Sequence, residues 1–397
     1  MTTTSSYPKG AEALLVALAT PAPNGLLGIP VLLWGRPGVG KSSFIEGLAG
    51  EELPVTTLIA SIHDPTDFSG LPILDGERVR YASPSWVDDF SEEGRGILFL
   101  DELSTAPPSV QSALLRVVFE RRVGTTALPE GVRIVAAANP PDLMIGGWEL
   151  SPPLRNRFVH LDWDIDADLF VEAQSSEWRQ GKLPAVNPER HARKLLTYKN
   201  LIAAYLRVNP TGLHSTPEEN PYGFASPRSW EFVAALLASC DLLGYPLEGD
   251  DGLVAYSLVR GCLGEATALS FTEYAATLRL PDPEAVLAGD QSPDLADFND
   301  SELYVLFGGM NAVLARTAAD DTLVGYGHTY LRLAREVFQG GRRDVIFIAL
   351  RQVAQRGFLQ RLVTAAAADT RRLPEIQTLV GELFGDATMR EFVEVLA

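Results

Sequence analysis

Gly35-Arg36-Pro37-Gly38-Val39-Gly40-Lys41-Ser42 is the stretch of this chain whose reading decides the fold. The eight residues match G-x-x-x-x-G-K-[ST] without a mismatch. An apolar run, residues 29–34, leads into them, and a helix-like run, residues 42–49, leaves them. The glycines let successive backbone N–H groups turn inward around a polyphosphate. The helix N-terminus that follows adds a partial positive charge beside that anion. Lys41 would reach the β- and γ-phosphates, and the Ser42 hydroxyl would ligate Mg²⁺. Residues 35–43, closing with Ser43, are therefore a candidate nucleotide-binding stretch. An ordinary Gly-rich turn is the alternative, and the strand–loop–helix context argues against it.

Working outward, the first half alternates apolar strands with helices, which predicts a parallel sheet covered on both faces. Val31–Trp34 is the first strand, followed by β-rich runs at residues 55–61, 97–100, 132–138 and 159–163. Residues 109–120 carry Val110, Leu114, Val117 and Val118 at helical spacing, with Pro107-Pro108 suited to a helix start. Two stretches interrupt the alternation. Residues 73–79 read as a hairpin turned on Asp75-Gly76, and residues 122–131, with Gly124, Pro129 and Gly131, as an irregular insertion. After about residue 165 the strands stop. Helices are expected over residues 195–208, 227–243 and 253–263, then, past an acidic linker at 289–300, over 301–318, 323–339, 344–354, 357–368 and 374–384.

Bulk properties narrow the function classes. A chain of 397 residues can bury substantial cores and form two or three domains. No apolar run approaches the ~18 residues of a membrane span, and residues 1–10 lack the pattern of a secretory leader. Cys240 and Cys262 both sit in apolar helical sequence, as expected of buried free thiols in a reducing cytoplasm, with a single disulfide between them as the alternative. The net charge of −18 opposes nucleic acid unless a local basic patch overrides it, and no basic block exceeds a pair such as Arg342-Arg343. The five histidines show no metal-ligand spacing with the cysteines.

Further candidates lie at strand ends. Ile97-Leu98-Phe99-Leu100 runs into Asp101-Glu102, two carboxylates at the sheet edge where open α/β sheets place ligands. Asp101 suits a Mg²⁺ shell and Glu102 the activation of a water. The strand at 134–138 ends in Asn139-Pro140, whose amide is placed for a γ-phosphate or water and whose alternative is a turn. Arg155 and Arg157 flank Asn156 beside the last strand, and Arg228 opens a later helix. Arg155 and Arg157 are either ordinary surface charges, or one of them projects into a neighbouring subunit's nucleotide to neutralise developing phosphate charge. Arg228 is either a surface or capping residue or a reporter of nucleotide state to the helical domain.

These motifs, in this order, resemble the AAA+ ATPases, and within them the MoxR-like group. Residues 35–42 resemble its Walker A motif and residues 97–102 its Walker B. Asn139 falls where that family has sensor 1, Arg157 or Arg155 where it has the arginine finger, and Arg228 where it has sensor 2. Residues 101–115 and 63–70 are the most MoxR-like, and the Asp75-Gly76 hairpin resembles the helix-2 insert that faces the ring's central pore in that clade. Thr105 departs from a frequent Arg, and Leu154-Arg155-Asn156-Arg157-Phe158 from a Leu-Asp-Arg-Phe form, leaving the finger's identity open. The resemblance implies an α/β P-loop domain over 1–165, a helical lid over 166–280 and an additional helical module over 281–397. It further implies ATP and Mg²⁺ as cofactors and a homo-oligomeric, hexameric ring with a trans-acting arginine. Its expected task is remodelling a protein target with a von Willebrand factor A domain partner. The alternatives are a nucleotide-gated scaffold with slow hydrolysis and a nucleic-acid-associated NTPase.

Overall fold

The structure, a computed structural model, describes residues 9–50, 53–143, 147–165, 167–175, 181–217, 222–247, 252–278, 280–355, 357–367, 369 and 371–385. They divide into two compact units, one of residues up to 194 together with 209–272, the other of 195–208 together with residues from 273 onward.

The first unit opens with α1 (Ala11–Ala19), β1 (Val31–Trp34) and, across the glycine loop, α2 (Lys41–Glu46). β2 (Val55–Ile59) and α3 (Thr66–Ser69) precede an antiparallel pair, β3 (Leu71–Asp75) and β4 (Arg78–Ala82). β5 (Arg95–Asp101) leads to α4 (Pro108–Glu120), then to a second small pair, β6 (Arg122–Val123) and β7 (Thr126–Ala127). β8 (Gly131–Ala138), α5 (Pro152–Arg155) and β9 (Val159–Asp162) follow. Beyond them come α6 (Ala167–Ser175), the start of α7 (Pro188–Val208), α8 (Pro227–Leu243), α9 (Leu253–Leu263) and the larger part of α10 (Glu265–Thr277).

Five strands form one sheet in the order β2–β5–β8–β1–β9, every pairing parallel. This is the five-stranded parallel sheet, flanked by helices, of the AAA+ P-loop NTPase fold that the sequence leads one to expect. Strands covered on both faces read as unbroken apolar runs. Leu98, Leu100, Ile134 and Ala136 share a core with Val110, Leu114, Val117 and Val118 of α4, while the alternate residues Ile97, Phe99 and Val135 are buried on the other face.

Local details differ from the sequence reading for identifiable reasons. The β3–β4 turn is centred on Gly76 and Glu77, one residue later than expected, with Asp75 paired to Arg78 and Gly76 at φ +63°. α7 starts at Pro188 because Asn187 Oδ1 accepts from Arg190 N at 2.9 Å, a cap that weak apolar periodicity conceals. α1 and α10 belong to stretches where no helix is expected. α1 is buried at eight of its nine residues, so it lacks the polar face that periodicity detects. The two hairpins also touch: Ser83 Oγ donates to Thr126 Oγ1 at 2.6 Å, and Thr125 Oγ1 to the Tyr81 carbonyl at 3.3 Å.

The second unit is helical: the end of α7, α11 (Pro283–Ala288), α12 (Asp300–Arg316), α13 (Asp320–Gln339), α14 (Arg343–Gln355), α15 (Phe358–Ala366) and α16 (Arg372–Phe384). α11 is a helix the Pro-rich passage hides. It is capped by Asp282, whose Oδ1 accepts from Glu284 N at 3.1 Å. Phe307, Tyr330, Ile346, Leu350, Leu362 and Ile376 centre a core of this unit's own. No helix among the described residues is long and apolar enough to cross a membrane.

Cys240 and Cys262 are free and buried, and burial pushes the Cys240 thiol up to about 12. His160, on β9, is also fully enclosed. Trp34 Nε1 donates to its Nδ1 at 2.9 Å, and its Nε2 lies 3.0 Å from the Arg155 carbonyl. Accepting at one nitrogen and donating at the other requires a neutral ring. Burial accordingly lowers its pKa to about 4. A group held below its unfolded value near 6.5 contributes stability above that value and loses it as pH falls toward 4. Between pH 7 and 5 the loss should be about 2 kcal/mol at most. Thermal unfolding should show this drop in the native chain and a smaller one in His160→Gln; equal drops would remove His160 as the cause.

Candidate active site

The glycine loop leaves β1 at Trp34 and turns through Gly38 and Gly40, at φ +81° and +79°, a region open to glycine at little steric cost. Gly40 then caps α2, so Lys41 and Ser42 stand on the first helical turn. The Lys41 side chain is almost wholly buried, its Nζ donating to the carbonyls of Gly35 at 2.5 Å and Arg36 at 3.0 Å. Burial pulls its pKa below the usual lysine range, and the Asp101 carboxylate opposes that fall.

β8 lies between β1 and β5, and the register sets the three strand ends side by side: Trp34 pairs with Ala138, and Leu100 with Ala136. Loop residues 37–43, Asp101, Glu102 and residues 137–139 consequently line one cavity of about 350 Å³. Ser42 Oγ donates to Asp101 Oδ2 at 2.8 Å, and Asp101 Oδ1 accepts from Glu102 N at the same distance. A hydroxyl and a carboxylate so placed make an all-oxygen donor set, which suits a hard cation such as Mg²⁺. Among the described residues no group of three or more His, Cys, Asp or Glu could hold a metal by itself. A cation at Ser42 and Asp101 would therefore complete its shell with phosphate oxygens and water.

Glu102 is an exposed carboxylate on a strained backbone. Its φ of +53° puts a non-glycine residue in the left-handed region, at a cost of roughly 1–2 kcal/mol. Its Oε2 accepts from Ser61 Oγ at 3.2 Å. Asn139 follows β8, anchored through its backbone N–H to Ser104 Oγ at 3.3 Å, and is part of the cavity wall. Ser61 is absent from the sequence-based candidates. Its signal lay in the strand order: β2 pairs with β5, Ile59 opposite Asp101, so the turn after β2, with Ser61 its second residue, leaves the sheet edge that bears Glu102.

The three arginines are placed elsewhere, and none lines this cavity. Arg155 is buried, its guanidinium donating to the Pro217 carbonyl at 3.0 Å and lying 5.8 Å from the Phe224 ring centre. Those contacts fit a residue that holds α5 in place. Arg157 donates to the Pro153 carbonyl at 2.6 Å and lies 5.5 Å from the ring centre of Phe119. Arg228, second residue of α8, donates to Asn156 Oδ1 at 3.1 Å and lies 4.7 Å from the same ring. The sequence order alone did not foretell that Arg157 and Arg228 share one aromatic.

Two substitutions separate binding from turnover here. Removing one member of a buried charged contact costs about 2–5 kcal/mol, so Lys41→Ala should weaken nucleotide binding about 100-fold or more in calorimetric titration. Ser61→Ala removes a hydrogen bond to a charged group, so turnover should fall about fivefold with nucleotide affinity unchanged. An unchanged rate in that variant would strip Ser61 of any part in placing Glu102.

Comparison with known proteins agrees with this geometry. Residues 30–158 match the AAA domain of the dynein-related subfamily. Midasin of Giardia intestinalis is 28% identical over 231 residues, 54% of this chain and 4% of midasin. The denitrification regulatory protein NirQ of Pseudomonas aeruginosa is 32% identical over 155 residues, 35% of this chain and 56% of NirQ. The chain thus spans between a small fraction and about half of the length of these curated relatives. A crystal structure of a candidate ATPase from Cytophaga hutchinsonii aligns with a TM-score of 0.44 at 17% identity, covering 67% of this chain and 88% of that one. A complete phosphate loop, a strand ending in Asp101-Glu102 and Asn139 between them all lie within the stretch, Pro30 to Phe158, that matches the AAA domain of the dynein-related subfamily.

Proposed function

We propose that this chain hydrolyses ATP with Mg²⁺ in a ring of its own copies, six by analogy with the MoxR-like group. In this reading Lys41 grips the β- and γ-phosphates, Ser42 and Asp101 hold the cation, and Glu102 takes the proton of the attacking water. Asn139 orients that water or the γ-phosphate. The ring acts as a remodeller or maturation factor for a protein target in the cytoplasm, with a von Willebrand factor A domain protein as partner, as the resemblance of residues 63–70 and 101–115 to MoxR-like proteins implies.

The observation that carries the oligomeric part is a separation within the first unit. α4 begins a few residues after Glu102 and ends at Phe119 and Glu120. Its 13 residues span about 20 Å. Arg157 and Arg228, against Phe119, thus stand a helix length from the cavity of their own chain. Neither makes an ion pair among the described residues, the nearby Glu120 being bonded to Arg116 at 3.0 Å. Two cations with no carboxylate bonded to them, Glu120 favouring the Arg157 charge only through space, and away from their own nucleotide, fit a nucleotide held by a second copy. This geometry favours Arg157 over Arg155 as the finger, and it supports a trans-acting role for Arg228 beside the sensor 2 place that the resemblance gives it.

The test is mass photometry of Glu102→Gln with and without ATP and Mg²⁺. The expected result is a shift from monomer to about six subunits on adding nucleotide, with ATP bound and no turnover. A persistent monomer would sink the ring, and native turnover in this variant would remove Glu102 as the base.

A further inference from the structure

Phe119 is an aromatic residue that the core does not use. It stands half-buried one residue before the end of α4, outside the set of side chains that α4 packs against the sheet. Its ring instead has two guanidinium groups against it, Arg157 at 5.5 Å and Arg228 at 4.7 Å from the ring centre. Two like charges at one small site repel, and Arg228 is among the causes that lower the Arg157 pKa, second to burial. Arg157 Nε is buried with no hydrogen-bond partner among the described residues. Glu120 favours the Arg157 charge through space, and the groups in contact with the pair are neutral: the Pro153 carbonyl for Arg157, Asn156 Oδ1 for Arg228, and the negative face of one ring for both.

The backbone that carries the ring is firmly anchored. The Phe119 carbonyl accepts from Asn24 Nδ2 at 3.2 Å. Two residues on, Arg121 ends the helix at φ +52° and is fully buried. Its guanidinium donates to the carbonyls of Val118, of Val132 at 3.2 Å and of Gly28 at 3.2 Å. A left-handed non-glycine residue, stabilised by three carbonyl acceptors, fixes the last turn of α4 and with it the direction in which the Phe119 side chain leaves the helix.

We propose that Phe119 is a positioning residue that holds Arg157 and Arg228 side by side, at the spacing at which both can engage the terminal phosphates of a nucleoside triphosphate bound to a second copy of this chain. Phe119 touches no phosphate. It acts by fixing the two guanidinium groups before the nucleotide arrives, so that their mutual repulsion and their ordering are met by the fold and not by the reaction. The inference rests on the trans-arginine reading above.

The experiment compares full-length Phe119→Leu, Phe119→Tyr and Arg157→Ala with the native chain, reading ATP turnover against ATP concentration and subunit number in ATP and Mg²⁺. Cation–π contacts of this kind predict a fall in kcat of about 10-fold for Phe119→Leu. KM and subunit number should stay close to native. Phe119→Tyr keeps the ring and should restore kcat to within about twofold. If Leu and Tyr fall together, or if Leu matches the native chain while Arg157→Ala is slow, the positioning role is overturned and the trans-arginine reading stands. If Arg157→Ala in the assembled protein turns over at the native rate, the trans-arginine reading itself is lost, and this inference with it.

Discussion

The parallel ladder that seats β8 between β1 and β5 is the constraint on which the first unit depends. In a parallel sheet every strand ends at the same edge, so side chains far apart in sequence meet there without any contact of their own to draw them together. Ser42 and Asp101 are 59 residues apart, yet their oxygens are 2.8 Å from one another. Slipping β5 by one residue would turn Asp101 to the opposite face and bury a carboxylate in the apolar core that Leu98 and Leu100 share with α4. The hydrophobic pattern of β5 therefore enforces the geometry of the chemistry as well as the packing.

The same edge resolves an electrostatic difficulty. A chain of net charge −18 should repel a triphosphate at long range. Beyond a Debye length of about 8 Å, however, exposed charges are largely screened at physiological salt. What remains is local: the largely buried Lys41 ammonium and the backbone N–H groups of a loop that Gly38 and Gly40 allow to turn. Asp101 and Glu102 at the same edge add negative charge, which a divalent cation between carboxylate and phosphate would neutralise. The acidity of the chain thus bears on what the rest of its surface can attract and leaves this cavity's selectivity to short-range contacts.

Legibility from sequence follows the range of the forces involved. The glycine loop, Asp101-Glu102 and Asn139 were legible because each is a local pattern fixed to a strand end, and strand ends in such a sheet are coplanar. The helices after residue 300 were legible because their apolar faces recur at helical spacing. α1 was not, since eight of its nine residues are buried and no polar face marks its period. The arginines were legible only as types. Arg155 and Arg157 stand two residues apart on and beyond a four-residue helix, so they leave it in different directions. Which one is buried was decided by Pro217 and Phe224, more than 60 residues away. Ser61 lay between these cases: its meaning was in the sequence once the strand order was known, and not before.

α4 draws these parts into one body. It leaves the sheet edge just after Glu102, and Ser104, in the connecting turn, accepts the Asn139 backbone N–H. Its last turns carry Arg116, which donates to the Gly124 carbonyl of the small hairpin at 3.4 Å, and Phe119, which faces Arg157 and Arg228. That hairpin in turn bonds to β4 and the residue after it through Thr125 and Ser83. An α-helix whose apolar face is locked into a close-packed core moves as a unit or not at all. Any displacement of the turn that bears Glu102 and Ser104 must therefore either break these contacts or carry the arginine pair and both hairpins with it. The cavity, the arginines and the exposed β3–β4 ribbon are separate in sequence and in space, but they are not mechanically independent.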